Sequence, residues 1–304
     1  MEDRLHKFAR VVEAGSFTKA AAALHISQPA LTTAVRKLER ELKAELLIRN
    51  GHTFAVTPAG DAAYRTAQEL AAHTRDLGQQ IAELADKKIS LRLGMIDSVA
   101  DLLFVHDNEL PALEQRAHLS LTIDNSSRLM QYVEQGRLDA AFIAQPAVTA
   151  ASLAFVPVGD EPLVLVAHPS YAAEVYACLQ QGTLERFLSY DQNSQTYRLI
   201  SLHLANAGIQ PKPSFYSTSP EIMVQLLLSQ PAVAVLPYLL VKQHLEEGAL
   251  ALVQTPATGF ISRTIMGVQR SGRRTSSPVQ AMTEHIHSRL QTLTSEIEQL
   301  HRIT

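Results

Sequence analysis

The stretch from Ser16 to Pro29, Ser-Phe-Thr-Lys-Ala-Ala-Ala-Ala-Leu-His-Ile-Ser-Gln-Pro, constrains this chain more than any other part of it. Gly15-Ser16 ends one helix, in which Leu5, Phe8, Ala9 and Val12 recur at helical spacing, and caps the next. The four alanines at 20–23 then let another helix approach closely, and His25-Ile26 breaks the pattern. Ser27 is a good N-cap, and Pro29 falls in a first turn, where its missing N–H costs nothing. The third helix begins there. Leu31, Val35, Leu38 and Leu42 point to one side of it, while Gln28, Thr32, Thr33, Arg36, Lys37, Arg40 and Lys43 occupy the other faces. Two helices joined by a tight turn, the second presenting amides, hydroxyls and cations, make a helix-turn-helix.

Those side chains suit a DNA groove. Gln pairs with adenine, Thr offers a hydroxyl or touches a thymine methyl, and Arg forks onto guanine or neutralises a phosphate. A solvated helix face is the better account of Arg36 or Lys37 taken alone; their place in the motif reverses that in favour of DNA. The reading assigns Ser27, Gln28, Pro29, Thr32, Thr33, Arg36 and Arg40 to the DNA-binding surface, with Gln28, Thr32 and Thr33 on bases and Arg36 and Arg40 on phosphates. Charge agrees with it: residues 1–60 carry an excess of Lys and Arg, although the whole chain has a net charge of −3.

Leu46 to Arg49 and Thr53 to Val56 flank Asn50-Gly51-His52, and Asn-Gly between apolar runs predicts a hairpin, here a β-wing. Arg49 and His52 at its tip would reach a phosphate or the minor groove, or simply face water. Thr57-Pro58 opens a helix running to about Asp86, on the order of 44 Å long. Ala63, Ala67, Leu70, Thr74, Leu77, Ile81 and Leu84 follow along it at spacings of four and three, a narrow heptad seam that calls for a partner helix. A second copy of the chain is the simplest partner, giving a homodimer or homotetramer; packing on the chain's own C-terminal region is the alternative.

With these residues in place the chain resembles the LysR-type transcriptional regulators. The resemblance rests on Phe8, Val12, Gly15-Ser16-Phe17, Ala20-Ala21, Leu24 to Leu31, Leu38-Glu39, Leu42, Arg49 and Thr57-Pro58-Ala59-Gly60. It implies an α/β protein: a winged helix-turn-helix dominated by α-structure at 1–57, a long linker and dimerisation helix at 58–89, and a two-lobed α/β effector domain at 90–304 resembling periplasmic binding proteins. Lobe I would take about 90–160 and 266–304, and lobe II about 161–265. Lys43 departs from the family's Gly, Leu47 from its usual Phe, and His52-Thr53 from a basic pair.

Beyond Lys88 short apolar runs alternate with helical segments, an α/β rhythm. Strands are predicted at 91–96, 119–123, 140–144 and 163–167, then at 188–190, 214–216, 233–236, 251–253 and 265–268, with helices at 102–116 and 129–135 and a last one at 279–303. In open α/β sheets ligands lie beyond the carboxyl ends of the strands. Ser98, Asn125, Ser126 and Gln145 occupy those turns in the first set, and Gln192, Asn193, Ser194 and Thr218 in the second. Any one Ser or Thr among them is better explained as a helix cap; their joint placement predicts a small-molecule effector site, and the resemblance implies the same interlobe cleft. Asp97, Asp124 and Asp191 beside them favour a monoanion, a zwitterion or a neutral polar solute over a multiply charged anion.

Enzyme signatures are missing: there is no HExxH, GxSxG, phosphate-loop or dinucleotide fingerprint. A single cysteine, Cys178, read as a buried helix residue, excludes an intrachain disulfide or a thiolate zinc site. No cofactor or metal is expected. The longest apolar region, 224–241, is interrupted by Pro231 and Pro237, and Met1 to Arg4 is unlike an export signal, so the reading is cytoplasmic with no membrane partner. The expected partners are double-stranded DNA, a small-molecule effector, further copies of the chain and, for an activator, RNA polymerase. The competing class is an α/β binding protein or enzyme whose N-terminal helices serve only assembly.

Overall fold

The computed structural model describes residues 1–50, 53–85, 87–253 and 261–303. These form two compact units: Met1–Lys87 with Gln135–Arg137, and Lys88–Glu134 with Leu138–Thr304.

The first unit is built from α1 (Glu2–Ala14), α2 (Phe17–Ala23), α3 (Gln28–Leu42), the hairpin β1 (Leu47–Asn50) and β2 (Thr53–Val56), and α4 (Pro58–Leu84). Local chemistry sets each boundary. Gly15 closes α1 at φ 60°, the Ser16 Oγ accepts from the Lys19 N–H, and the Ser27 Oγ accepts from the Ala30 N–H. Leu5, Phe8, Leu31, Val35 and Leu38 fill a core closed on one side by Ala20 and Ala21. Leu42, expected on that inner face, is exposed because α3 runs past the core before it ends. Glu39 turns inward instead. Its Oε1 accepts from the Leu46 and Leu47 N–H groups at 3.1 and 3.3 Å, which pins the first wing strand to α3.

Gly60 seats the long helix. A Cβ there would lie 2.2 Å from the Leu46 carbonyl oxygen, so only glycine lets α4 start this close to the wing. The predicted seam of α4 divides in two. Ala63 and Ala67 are buried in the unit's own core, whereas Leu77 and Leu84 are 57 and 88 % exposed. The exposed part of the stripe is therefore shorter than the heptad pattern suggested, running from Leu70 onward.

The second unit contains β3 (Ile89–Met95), α5 (Asp97–Ala100) running into a π-helical turn at Asp101–His106, α6 (Leu110–Arg116), β4 (Ala117–Ile123), α7 (Ser126–Glu134), β5 (Ala140–Ala144) and β6 (Leu153–Ala167). It continues with α8 (Ala172–Gln180), β7 (Thr183–Tyr190), α9 (Gln195–Asn206), β8 (Gln210–Ser217), α10 (Pro220–Ser229), β9 (Val233–Pro237), α11 (Tyr238–Glu246), β10 (Ala251–Leu252), β11 (Ile261–Arg270) and α12 (Ser277–Ile303). Among the described residues the nine strands form one sheet in the order β4-β3-β5-β11-β6-β9-β7-β8, with β10 beside β6. The strands β4, β3 and β5 are parallel to one another, as are β9, β7 and β8. Between these trios β11 and β6 pair antiparallel over almost their whole lengths. Two α/β halves thus share two long strands. The sequence pattern located only the second half of β6 and of β11, because Pro157, Gly159 and Pro162 interrupt the apolar alternation of the one and Ser262-Arg263-Thr264 that of the other. Cys178 lies on α8 as expected, but half-buried rather than buried.

Lys43, the residue that closes α3, sits in the left-handed region at φ 52°, a conformation that strains any side chain with a Cβ. Replacing it by Gly should stabilise the chain by about 1 kcal/mol, read as a higher denaturant midpoint at unchanged m-value; a midpoint that stays put or falls would show that the lysine side chain offsets the strain.

Candidate functional sites

In the first unit, α3 presents Gln28, Thr32, Arg36 and Arg40 in a line at four-residue spacing, with Thr33 beside it. Local bonds hold the shorter side chains: the Gln28 Nε2 donates to the Thr32 Oγ1 at 3.0 Å and the Thr33 hydroxyl donates to the Pro29 carbonyl at 2.9 Å. Arg36 and Arg40 are exposed and make no ion pair among the described residues; the Arg40 Nε donates only to the Arg36 carbonyl. Exposed cations without carboxylate partners on a rigid helix are what a phosphate backbone requires. Ser27 is committed to its capping bond and Pro29 to the first turn. Arg49 lies in β1, paired with Phe54, and His52 lies outside the described residues.

In the second unit, the carboxyl ends of β3, β4, β7 and β8 surround a cavity of about 530 Å³. Ser98, Asn125, Ser126, Asn193, Ser194 and Thr218 all line it. Gln145 and Gln192 do not: both are exposed, and the Gln145 backbone is drawn aside by its N–H bond to the Thr264 carbonyl. The volume suits a metabolite-sized ligand.

Sequence reasoning missed the floor of this cavity. Arg263 on β11 is buried and stands directly across from Glu161 on β6. Its Nε donates to the Glu161 Oε2 at 2.5 Å, its Nη1 to the Thr196 Oγ1 at 2.6 Å and its Nη2 to the Ser98 Oγ at 2.9 Å. One guanidinium therefore joins both shared strands to α5 of one half and α9 of the other. Because Ser98 and Thr196 accept from Arg263, and Ser126 accepts from the Ala144 N–H at 3.2 Å, each of the three hydroxyls keeps its own proton to give to a ligand. Only the pairing of strands remote in sequence would have revealed Arg263 and Glu161, since neither lies in a recognisable motif.

Asp97 lines the same cavity, and its carboxyl is pushed up to about 6, first by burial and then by Glu221 at the start of α10. Burial also holds the Tyr190 phenol well above its ordinary value, so it remains a proton donor.

Comparison with known proteins decides the family. Residues 3–61 match the bacterial regulatory helix-turn-helix protein, lysR family, and residues 87–291 match the LysR substrate binding domain. The chain belongs to the LysR family of DNA-binding transcriptional regulators. Over 298 residues, 94 % of this chain and 95 % of the relative, it is 28 % identical to the RuBisCO operon transcriptional regulator of Allochromatium vinosum. The full-length LysG of Corynebacterium glutamicum aligns with a TM-score of 0.65 at 17 % identity, covering 95 % of this chain and 98 % of that one. Full-length CbnR aligns with a TM-score of 0.63 at 20 % identity, covering 95 and 99 %. As a LysR regulator the chain is a DNA-binding protein with an effector-binding domain, and its relatives are named as regulators rather than enzymes. Among the described residues no helix is long and apolar enough to cross a membrane.

The Asp97 carboxyl has a stability consequence of definite sign. With its folded-state value above the ordinary 3.8, the folded chain takes up a proton more readily than the unfolded one, so Asp97 subtracts stability at neutral pH and ceases to do so in acid. Asp97→Asn should therefore raise Tm at pH 8, and the gap should narrow as the pH falls through 6 towards 4. A variant equal to or below wild type at pH 8 would count against this environment.

Proposed function

We propose that this chain is a cytoplasmic, homo-oligomeric transcriptional regulator that reads an operator through α3 and answers to a small polar metabolite bound in the cavity of the second unit. The observation that carries it is the line of exposed Gln28, Arg36 and Arg40 with half-buried Thr32 along a helix whose entry is fixed by the Ser27 cap. Residues 1–57 serve DNA, 58–89 link and pair the subunits, and 90–304 bind the effector, with lobe I at about 90–160 and 266–304 and lobe II at about 161–265. Gln28, Thr32 and Thr33 contact bases; Arg36 and Arg40, with Arg49 and His52 of the wing, contact phosphates. Ser98, Asn125, Ser126, Asn193, Ser194 and Thr218 hold the effector. Two solved relatives support this division of labour: the CbnR structure contains its target DNA and the LysG structure contains bound arginine. If the regulator is an activator, RNA polymerase is a further partner.

Operator binding should separate the two classes of contact. Gln28→Ala is expected to lose roughly 1–3 kcal/mol on the selected site and to relax one base position, whereas Arg36→Ala should flatten the salt dependence by about one unit on any sequence. Equal losses for Gln28→Ala on specific and random duplexes would rule out a base contact.

Pairing through the exposed part of α4 is tested separately. Leu77, 57 % exposed in the single chain, should be covered by a partner helix, so Leu77→Lys is expected to shift sedimentation towards monomer and weaken DNA binding with it. An unchanged oligomer would move the subunit interface elsewhere.

A further inference from the structure

The charges around the cavity are unevenly satisfied. Arg263 is neutralised by Glu161 at 2.5 Å, and Arg128 at the rim stands 3.6 Å from Asp124. Asp191 is held by the Asn193 N–H. Asp97 likewise accepts a backbone N–H, its own, but among the described residues it makes no ion pair, and the guanidinium near enough to act on it is the already neutralised one of Arg263. Glu221, exposed at the start of α10 in the other half, does not itself line the cavity; its Oε2 accepts from the Ser219 Oγ at 2.7 Å, and its charge repels that of Asp97. Among the described residues, the carboxylates that line the cavity without a cationic partner are therefore Asp97 in one half and Asp191 in the other.

A second, independent feature also asks for a ligand. Tyr190, at the end of β7, is only 5 % exposed and lines the cavity, yet among the described residues its hydroxyl has no hydrogen-bond partner. A buried phenol left unpaired costs on the order of 1–3 kcal/mol unless something occupies the space before it. Together with the hydroxyls of Ser98, Ser126 and Thr196 it offers neutral donors, suited to the oxygen atoms of a ligand and carrying no positive charge.

Resting on the proposed cleft reading, we infer that the effector is an ammonium-bearing metabolite of amino-acid size, its cationic group seated at Asp97 and its oxygen atoms received by the hydroxyls of Ser98, Thr196 and Tyr190. A cation there replaces repulsion between the two halves by attraction, so the ligand draws them together. A carboxylate ligand lacking the amine would meet neutral donors but would also meet Asp97, and should bind weakly. The groups facing Asp97 are Glu221 from α10, Arg263 from β11, Asp124 after β4 and Tyr190 from β7; of these Arg263 stays charged throughout, and Tyr190 stays neutral. Cation binding favours the ionised Asp97, so affinity should fall below pH 6, approaching about tenfold per pH unit.

The test is calorimetry and thermal shift on the full chain at pH 7.5 with two matched probe sets: the L-amino acids with putrescine, and the corresponding 2-hydroxy acids with succinate and propionate. The expected result is that at least one ammonium-bearing probe binds, that its hydroxy-acid counterpart binds at least about tenfold more weakly, and that Asp97→Asn abolishes the preference. Glu221→Gln, on an exposed residue, is expected to weaken the same probe to a smaller degree and gives a second route should Asp97→Asn fold poorly. A hydroxy acid or succinate that binds as well as any amine, with affinity lost in Thr196→Val and Tyr190→Phe, would overturn the cationic assignment while leaving the cleft reading intact. An amine whose binding ignores Thr196→Val and Tyr190→Phe would overturn both, as would silence from every probe.

Discussion

The buried pair of Arg263 and Glu161 is the contact on which the second unit depends. It lies on the two antiparallel strands that both α/β halves share, and the remaining donors of the guanidinium reach Ser98 in one half and Thr196 in the other. A buried ion pair of this kind is a weak source of net stability, because desolvating both charges offsets most of their attraction. Its value is geometric. Removing either partner would leave a bare charge in the floor of the cavity, so the pair holds the strands in register and the two hydroxyls at fixed positions.

Around that floor the fold produces a cavity by symmetry of arrangement. Each half is a parallel trio with helices returning between strands, and the carboxyl ends of both trios open towards the same space. The first unit follows another logic, in which every element is short and each boundary is set locally. Ser16, Ser27 and Thr57 cap three helices, Glu39 fixes the wing to α3, and Gly60 admits α4 against the Leu46 carbonyl. Polar bonds spent inside this scaffold leave the outward face of α3 rigid, and a rigid face presents several weak contacts in register at little entropic cost.

These two kinds of construction explain what the sequence could disclose. The N-terminal helices and the wing were legible because caps, glycines and apolar spacing act within a few residues of one another. Leu42 and the split seam of α4 were misjudged for the opposite reason: periodicity shows that Ala63, Ala67 and Leu77 share a stripe but not which neighbour covers each part of it. In the second unit six of the eight residues named at the strand-end turns line the cavity, while Gln145 and Gln192 do not. Arg263, Glu161 and Tyr190 stayed hidden because their significance arises from pairing across the sheet, Arg263 and Glu161 being 102 residues apart in the chain.

The account stands or falls on whether the exposed face of α3 selects a sequence. Repeated selection of the full chain against a random duplex pool measures this directly. It should converge on one motif built of two related half-sites separated by one or more helical turns, about 34 Å each. A pool that binds but stays random after several rounds would contradict the assignment of α3 as a reading helix and leave the first unit with phosphate contacts alone.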